Sequence, residues 1–327
     1  MASQDCRHVD GVAGEQPLHL QPVRGRDEQS CGLAAVDVRS DLTAVGCPWR
    51  HRRGRRLPHT AATADLRRPH ESAAGPPTRG STVSIYLIEF HGGTCHFVDN
   101  ADEVYAVAAS LADETGGHYM DQFTYAEQAT DWRGNNNIAE SIFEQMSMEE
   151  HPEPAWIVAT AGTGGTCATL ARYVRYTGRA TGICIADPEN SAFFPGWRDG
   201  DSSVTTGVGS RIEGIGRQRV ESSFIASSID RTMRVPDAAS IAAVRLLEQL
   251  IGMRAGASTG TSLWAALRIV SEMVESGQQG SIVSLICDPG VRYVDKYYSS
   301  QWLADNDIDI EPYRVRLEEF MRTGVLR

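Results

Sequence analysis

From Ser84 onward, apolar positions recur in short blocks separated by glycine, proline and acidic residues. Ile85-Tyr86-Leu87-Ile88-Glu89-Phe90 and Thr94-Cys95-His96-Phe97-Val98 read as strands on either side of His91-Gly92-Gly93, and residues 102–111 read as an amphipathic helix. The apolar run at residues 156–160 is a buried strand that breaks into Gly162-Thr163-Gly164-Gly165-Thr166 and resumes as a helix over residues 167–176. Residues 181–186 form the next strand, ending at Asp187-Pro188, so strand, helix and strand predict a right-handed βαβ unit. A strand at 233–235, helices at 238–250 and 261–275, a strand at 281–286 and a helix at 312–321 complete the pattern. The alternation predicts an α/β protein built on an open, mostly parallel, doubly wound sheet.

Residues 1–83 are a different kind of sequence. They hold 12 arginines, 9 acids and 7 of the 14 prolines, a net charge of +3 against −14 for the remainder. Arg50-His51-Arg52-Arg53-Gly54-Arg55-Arg56 and Arg67-Arg68-Pro69-His70 interrupt the apolar runs, so neither a helical nor a strand period persists. A basic arm for nucleic acid is one reading. The reading adopted is disorder or non-native coding sequence, with residues 84–130 the remnant of a small domain and 131–327 a large ligand-binding domain.

The overall charge of −11 speaks against a nucleic-acid partner, because phosphate contacts need clustered lysine and arginine. No apolar run approaches bilayer-spanning length and the polar start lacks a signal sequence, which points to a cytoplasmic protein with no membrane contact. Seven irregularly spaced cysteines fit free thiols in a reducing compartment. His91, Cys95 and His96 lie close together but lack the paired spacing of a zinc site, so no metal is expected.

Chemistry concentrates in three glycine clusters, at 162–166, 209–216 and 256–260. A strand that breaks into glycines before a helix suits an anion, since backbone N–H groups approach it and the helix N-terminus adds partial positive charge. No Walker lysine accompanies this loop, because Thr166 is followed by Cys167; the chain's one lysine is Lys296. A nicotinamide-dinucleotide-binding oxidoreductase is an alternative, with Gly162-Thr163-Gly164 opening the fingerprint and Asp187 holding ribose hydroxyls, but Cys167 occupies the position that wants a third glycine or alanine.

Taken as a set, Asp121-Gln122-Phe123, the 162–166 loop, Asp187-Pro188 through Ser191, Glu213-Gly214-Ile215-Gly216, Gly256-Ala257-Ser258-Thr259-Gly260 and Cys287-Asp288-Pro289-Gly290-Val291-Arg292-Tyr293 resemble the cysteine synthase group of fold-type II enzymes that use pyridoxal 5′-phosphate. The segment Thr130-Asp131-Trp132-Arg133-Gly134-Asn135-Asn136-Asn137-Ile138 looks most like the actinobacterial L-cysteine desulfhydrase branch. The resemblance implies cofactor-phosphate binding by Gly162, Thr163, Gly164, Gly165 and Thr166, and a grip on the substrate carboxylate by Gln122. It implies β-elimination or β-replacement on L-cysteine or a related β-substituted amino acid, and a homodimer.

Two departures from the family stand out. The Schiff-base lysine and the Ser-Gly-Asn-type loop after it, which belong well upstream of residue 162, are absent, so the fold is read as incomplete on its N-terminal side and the chain as impaired or a non-catalytic remnant. Lys296, in Tyr293-Val294-Asp295-Lys296-Tyr297-Tyr298, reads better as a solvated helical lysine. Pro289 stands where the family typically offers a serine to the pyridine nitrogen, and Asp288 is the candidate substitute.

Overall fold

The computed structural model describes the strands Leu18–Pro22, Gly32–Val38, Leu42–Pro48 and His70–Ala74, together with residues 88–98, 103–129, 131–133 and 137–327. The four early strands are β1 to β4. The rest of residues 1–83, and with them most of the expectation of disorder, lie outside the described residues.

The main sheet has seven strands in the order β1-β3-β2-β9-β6-β7-β8, where β6 is Trp156–Thr160, β7 Gly182–Pro188, β8 Arg231–Val235 and β9 Gly280–Leu285. Strands β9, β6, β7 and β8 are mutually parallel. Strand β2 joins antiparallel to β9, with Leu33 opposite Leu285, and β3 antiparallel to β2; β1 lies parallel to β3. A separate parallel pair joins β4 to β5, Gly93–Phe97.

Side chains of the central strands alternate between two cores, as the period of two requires. Ile157, Ala159, Ile183 and Ile185 enter one core with Leu170 and Phe143. Val158, Cys184, Ala186 and Ile282 enter the other with Leu263 and Phe320. The first core lies under the helices α3, Ile138–Met146, and α4, Gly165–Tyr176; the second under α6, Asp237–Ile251, α7, Ala257–Ser276, and α9, Glu311–Thr323. Burial on both faces explains why β6, β7 and β9 are mostly apolar, with the polar side chains of Asp187 in β7 and of Ser281 and Ser284 in β9 themselves buried.

The remaining helices are α1, Glu103–Thr115, α2, Gln122–Tyr125, α5, Phe193–Asp199, and α8, Ser300–Asp305. Of the two strands expected around His91-Gly92-Gly93, the second is β5, whereas residues 88–90 are helical and lead into the turn at 91–92. Residues 85–87 lie outside the described residues.

Candidate active site

Strand β6 delivers the glycine loop to the carboxyl edge of the parallel strands, the edge where open α/β sheets take ligands. Its backbone needs glycine for a packing reason. A Cβ on Gly162 would stand 2.3 Å from the Gly214 carbonyl oxygen, and one on Gly165 2.8 Å from that of Ala126. Gly164 has φ +97°, and its Cβ would meet Phe224 Cα and Ser223 O at 2.6 Å. Three segments distant in sequence therefore close on this loop.

What the loop offers a ligand is separate from those contacts. Gly164 caps the 12-residue helix α4 with no side-chain hydrogen bond, so the N-terminus of the helix keeps its anion-binding character. The Thr163 hydroxyl accepts from the Gly165 N–H at 3.2 Å, and Thr166 is exposed in the first helical turn. Glycine backbone, two hydroxyls and the helix-start N–H groups beyond Gly165 form a donor set that fits a phosphate dianion.

The second glycine cluster packs directly beside it. The Gly216 N–H donates to Ala161 O at 2.9 Å, and Arg217 Nε donates to Gly162 O at 3.0 Å. The Arg217 guanidinium also lies 4.3 Å over the ring of Phe123. Phe123 belongs to α2, which Asp121 caps by accepting from Thr124 N, from a left-handed backbone with φ 38°. Gln122 is thus carried close to the loop through its neighbour Phe123, and its amide has no hydrogen-bond partner among the described residues.

Segment 217–224 is strapped to α1 and α2. Tyr105 donates to the buried Glu221 at 2.6 Å, and Arg219 donates to the other oxygen of that carboxylate at 3.2 Å. Burial and the Glu221 carboxylate push the Tyr105 phenol well above its ordinary range. The Ser223 hydroxyl donates to Thr124 O at 3.0 Å and accepts from Glu127 N at 3.2 Å. Sequence reasoning missed Tyr105, Arg217, Glu221 and Phe224; a cation immediately after Glu213-Gly214-Ile215-Gly216 was the one available signal.

On the far side of the loop, Lys296 Nζ donates to Glu213 Oε2 at 2.9 Å. The sequence suggested a solvated helical lysine; the side chain is partly exposed, but it lies in a turn and is paired with Glu213. Tyr293 OH donates to Asp288 Oδ2 at 2.7 Å, while the Gly256 N–H donates to Asp288 O at 2.9 Å. Asp288 is thereby fixed against the third glycine cluster.

Asp187 is fully buried, accepts from Phe194 N at 2.8 Å and is bonded by Ser191, so it does not present itself to a ribose. Cys167, at the third fingerprint position, is buried too, and burial pushes its thiol up to about 12. Both features argue against the nicotinamide alternative. No group of three metal-ligating side chains occurs among the described residues, and no helix among them is long and apolar enough to cross a membrane.

Residues 61–288 match the sequence profile of the family described as pyridoxal-phosphate dependent enzyme. The chain belongs to that family. It is 54% identical over 247 residues to L-cysteine desulfhydrase Cds1 of Mycobacterium tuberculosis, covering 76% of this chain and 67% of the relative. Cysteine synthase 2 of Schizosaccharomyces pombe is 28% identical over 228 residues, 65% of this chain and 55% of the relative. Against such relatives the chain spans between about half and two thirds of their length. The crystal structure of O-ureido-L-serine synthase superposes with a TM-score of 0.55 at 19% identity, over 72% of each chain, which establishes a shared fold. Family membership replaces the nicotinamide reading and makes pyridoxal phosphate the cofactor to fit.

Proposed function

We propose that this chain holds pyridoxal 5′-phosphate with its phosphate at Gly162, Thr163, Gly164, Gly165 and Thr166, and that it is built for β-elimination or β-replacement on L-cysteine or a related β-substituted amino acid. The observation that carries this reading is the start of α4 at the carboxyl edge of β6, whose glycine cap brings no side chain and which has two threonine hydroxyls beside it. The 54% identity to a cysteine desulfhydrase supports the substrate class.

In this role the 162–166 backbone and hydroxyls hold the phosphate by charge-assisted hydrogen bonds, each worth roughly 1.5 to 3 kcal/mol. Gln122, whose side-chain amide has no partner among the described residues, takes the substrate carboxylate. Asp288, fixed by Tyr293 and packed on Gly256, holds a proton toward the ring nitrogen in place of the family's serine. When bound, the cofactor supplies an electron sink that makes the substrate's α-proton acidic and lets the β-substituent leave. Residues 84–130 are read as the remnant of a small domain and 131–327 as the large phosphate-binding domain, and the resemblance also supports a homodimer.

The chemistry needs an amine that bonds the cofactor's aldehyde and moves the α-proton. The one lysine in these 327 residues is engaged by Glu213. We therefore infer that the chain binds the cofactor without bonding it and is impaired in elimination. Borohydride reduction of the cofactor-treated protein, followed by peptide mass spectrometry, tests this together with sulfide release from cysteine. Saturable cofactor binding with no adduct and little sulfide is the expected result. An adduct at Lys296 with turnover overturns the impairment, and absence of binding overturns the cofactor site.

A further inference from the structure

Arg217 is held at several points. Its N–H donates to Ser191 Oγ at 3.2 Å, its carbonyl accepts from Ala192 N at 2.7 Å, and Nε donates to Gly162 O at 3.0 Å. The guanidinium plane rests on Phe123. No carboxylate lies within ion-pairing distance among the described residues, and neither Nη group has a protein acceptor among them. The nearby Glu221 is committed to Tyr105 and Arg219. Burial lowers the Arg217 pKa, the direction expected of a cation short of counter-charge.

A half-buried, clamped cation with a free fork is an expensive arrangement unless an anion completes it. Guanidinium geometry suits two oxygens of one phosphate or carboxylate, and preorganisation lowers the entropy lost on binding. Position adds to this, because the group joins the first residue of the glycine loop to the segment that carries Gln122. We propose that Arg217 is an oxyanion-binding residue of the active site, its two Nη groups taking an oxyanion of the bound ligands, either the cofactor's phosphate or the substrate's carboxylate. This deepens the functional reading above and rests on it for the identity of the ligands.

The test uses the full chain as wild type, R217K and R217M, with thermal unfolding to confirm that each is folded. Calorimetric titrations compare inorganic phosphate, pyridoxal 5′-phosphate and pyridoxal, then L-serine and ethanolamine on the cofactor-loaded protein. Loss of one charged hydrogen bond corresponds to roughly tenfold to a hundredfold in affinity. If the phosphate is the partner, R217M loses that much for phosphate and pyridoxal phosphate while pyridoxal stays within about twofold, by the same scale. If the carboxylate is the partner, the loss falls on L-serine and spares ethanolamine. R217K, which keeps charge without the fork, falls between, and it carries the comparison should R217M fail to fold. Equal effects on ligands with and without the oxyanion, no effect at all, or a wild type that binds no oxyanion overturns the proposal. A wild type that ignores the cofactor yet binds inorganic phosphate through Arg217 overturns the functional reading and leaves this one standing.

Discussion

Gly164 and Gly178 share a positive φ but not a neighbourhood. Gly178, at φ +66°, has nothing among the described residues within 4 Å of its notional Cβ, whereas Gly164, at φ +97°, has backbone at 2.6 Å. Replacing Gly178 by alanine costs the left-handed backbone penalty alone, about 1 to 2 kcal/mol. Gly164→Ala adds a backbone collision to a similar penalty, so its loss in urea unfolding exceeds that of Gly178→Ala and cofactor affinity falls with it. Equal losses at the two positions would show that the packing around Gly164 gives way. The buried Asp187 makes a pH prediction of definite sign. Burial outweighs the Ser191 and Phe194 hydrogen bonds and the Arg234 charge, raising its carboxyl to about 7, and Oδ1 has no hydrogen-bond partner among the described residues. Between an unfolded value near 4 and about 7 the folded state therefore binds more protons than the unfolded state, so this group's contribution to stability falls as pH rises across that window and is level above it. Asp237, raised to about 6, acts in the same direction, while the paired Glu272, lowered by Arg231, acts in the opposite one. Asp187→Asn mimics the protonated acid, and its urea-unfolding free energy between pH 4.5 and 8 is expected to decline less steeply than that of wild type; parallel curves would mean that Asp187 is ionised when folded.

At the scale of elements, β6, α4, β7, α6, α7 and β9 were legible because each carries a long, uniform pattern: two-sided burial for the strands and a buried stripe for the helices. The boundaries moved by a few residues where caps decide them; α7 begins at Ala257 rather than Thr261 because its Ser-Thr-Gly-Thr start is buried and packs against Ser240. The four-residue α2 and seven-residue α5 were not legible, being too short to show a period. The candidate site followed the same rule. Gly162 to Thr166 announced themselves as a contiguous motif, while the strap from Arg217 to Phe224 is a set of long-range contacts that no local pattern encodes. That strap makes its own prediction. Tyr105→Phe removes the donor from one oxygen of the buried Glu221, a charged hydrogen bond worth roughly 1.5 to 3 kcal/mol, and should cost that order in stability. Hydrogen exchange should then rise in α1 and in 217–224 before it rises in α7. Uniform acceleration across the sheet would mean the strap is not a separate unit.

For the whole molecule, the glycine loop is where segments far apart in sequence meet: residue 126 after α2, residue 214 within the second glycine cluster, and residues 223–224 at the end of the strap all touch it within 2.8 Å of a notional Cβ. An anion seated there holds the ends of the segments whose closure forms the site, and the unfolded chain has no such site to offer. Ligand binding is consequently linked to folding, and a ligand present at 100 times its dissociation constant adds about 2.7 kcal/mol to global stability. The expected outcome is a concentration-dependent rise in the unfolding midpoint with pyridoxal 5′-phosphate, a smaller rise with inorganic phosphate and little with pyridoxal. The order follows from the proposed site, in which the helix start, the threonine hydroxyls and Gly162 to Gly165 address the phosphate, while the one lysine of the sequence is paired with Glu213 and no other amine side chain of that kind is present to fasten the aldehyde. Thermal scans at matched ligand concentrations check it. A pyridoxal effect equal to that of its phosphate would place the binding energy on the ring and move the site away from the loop.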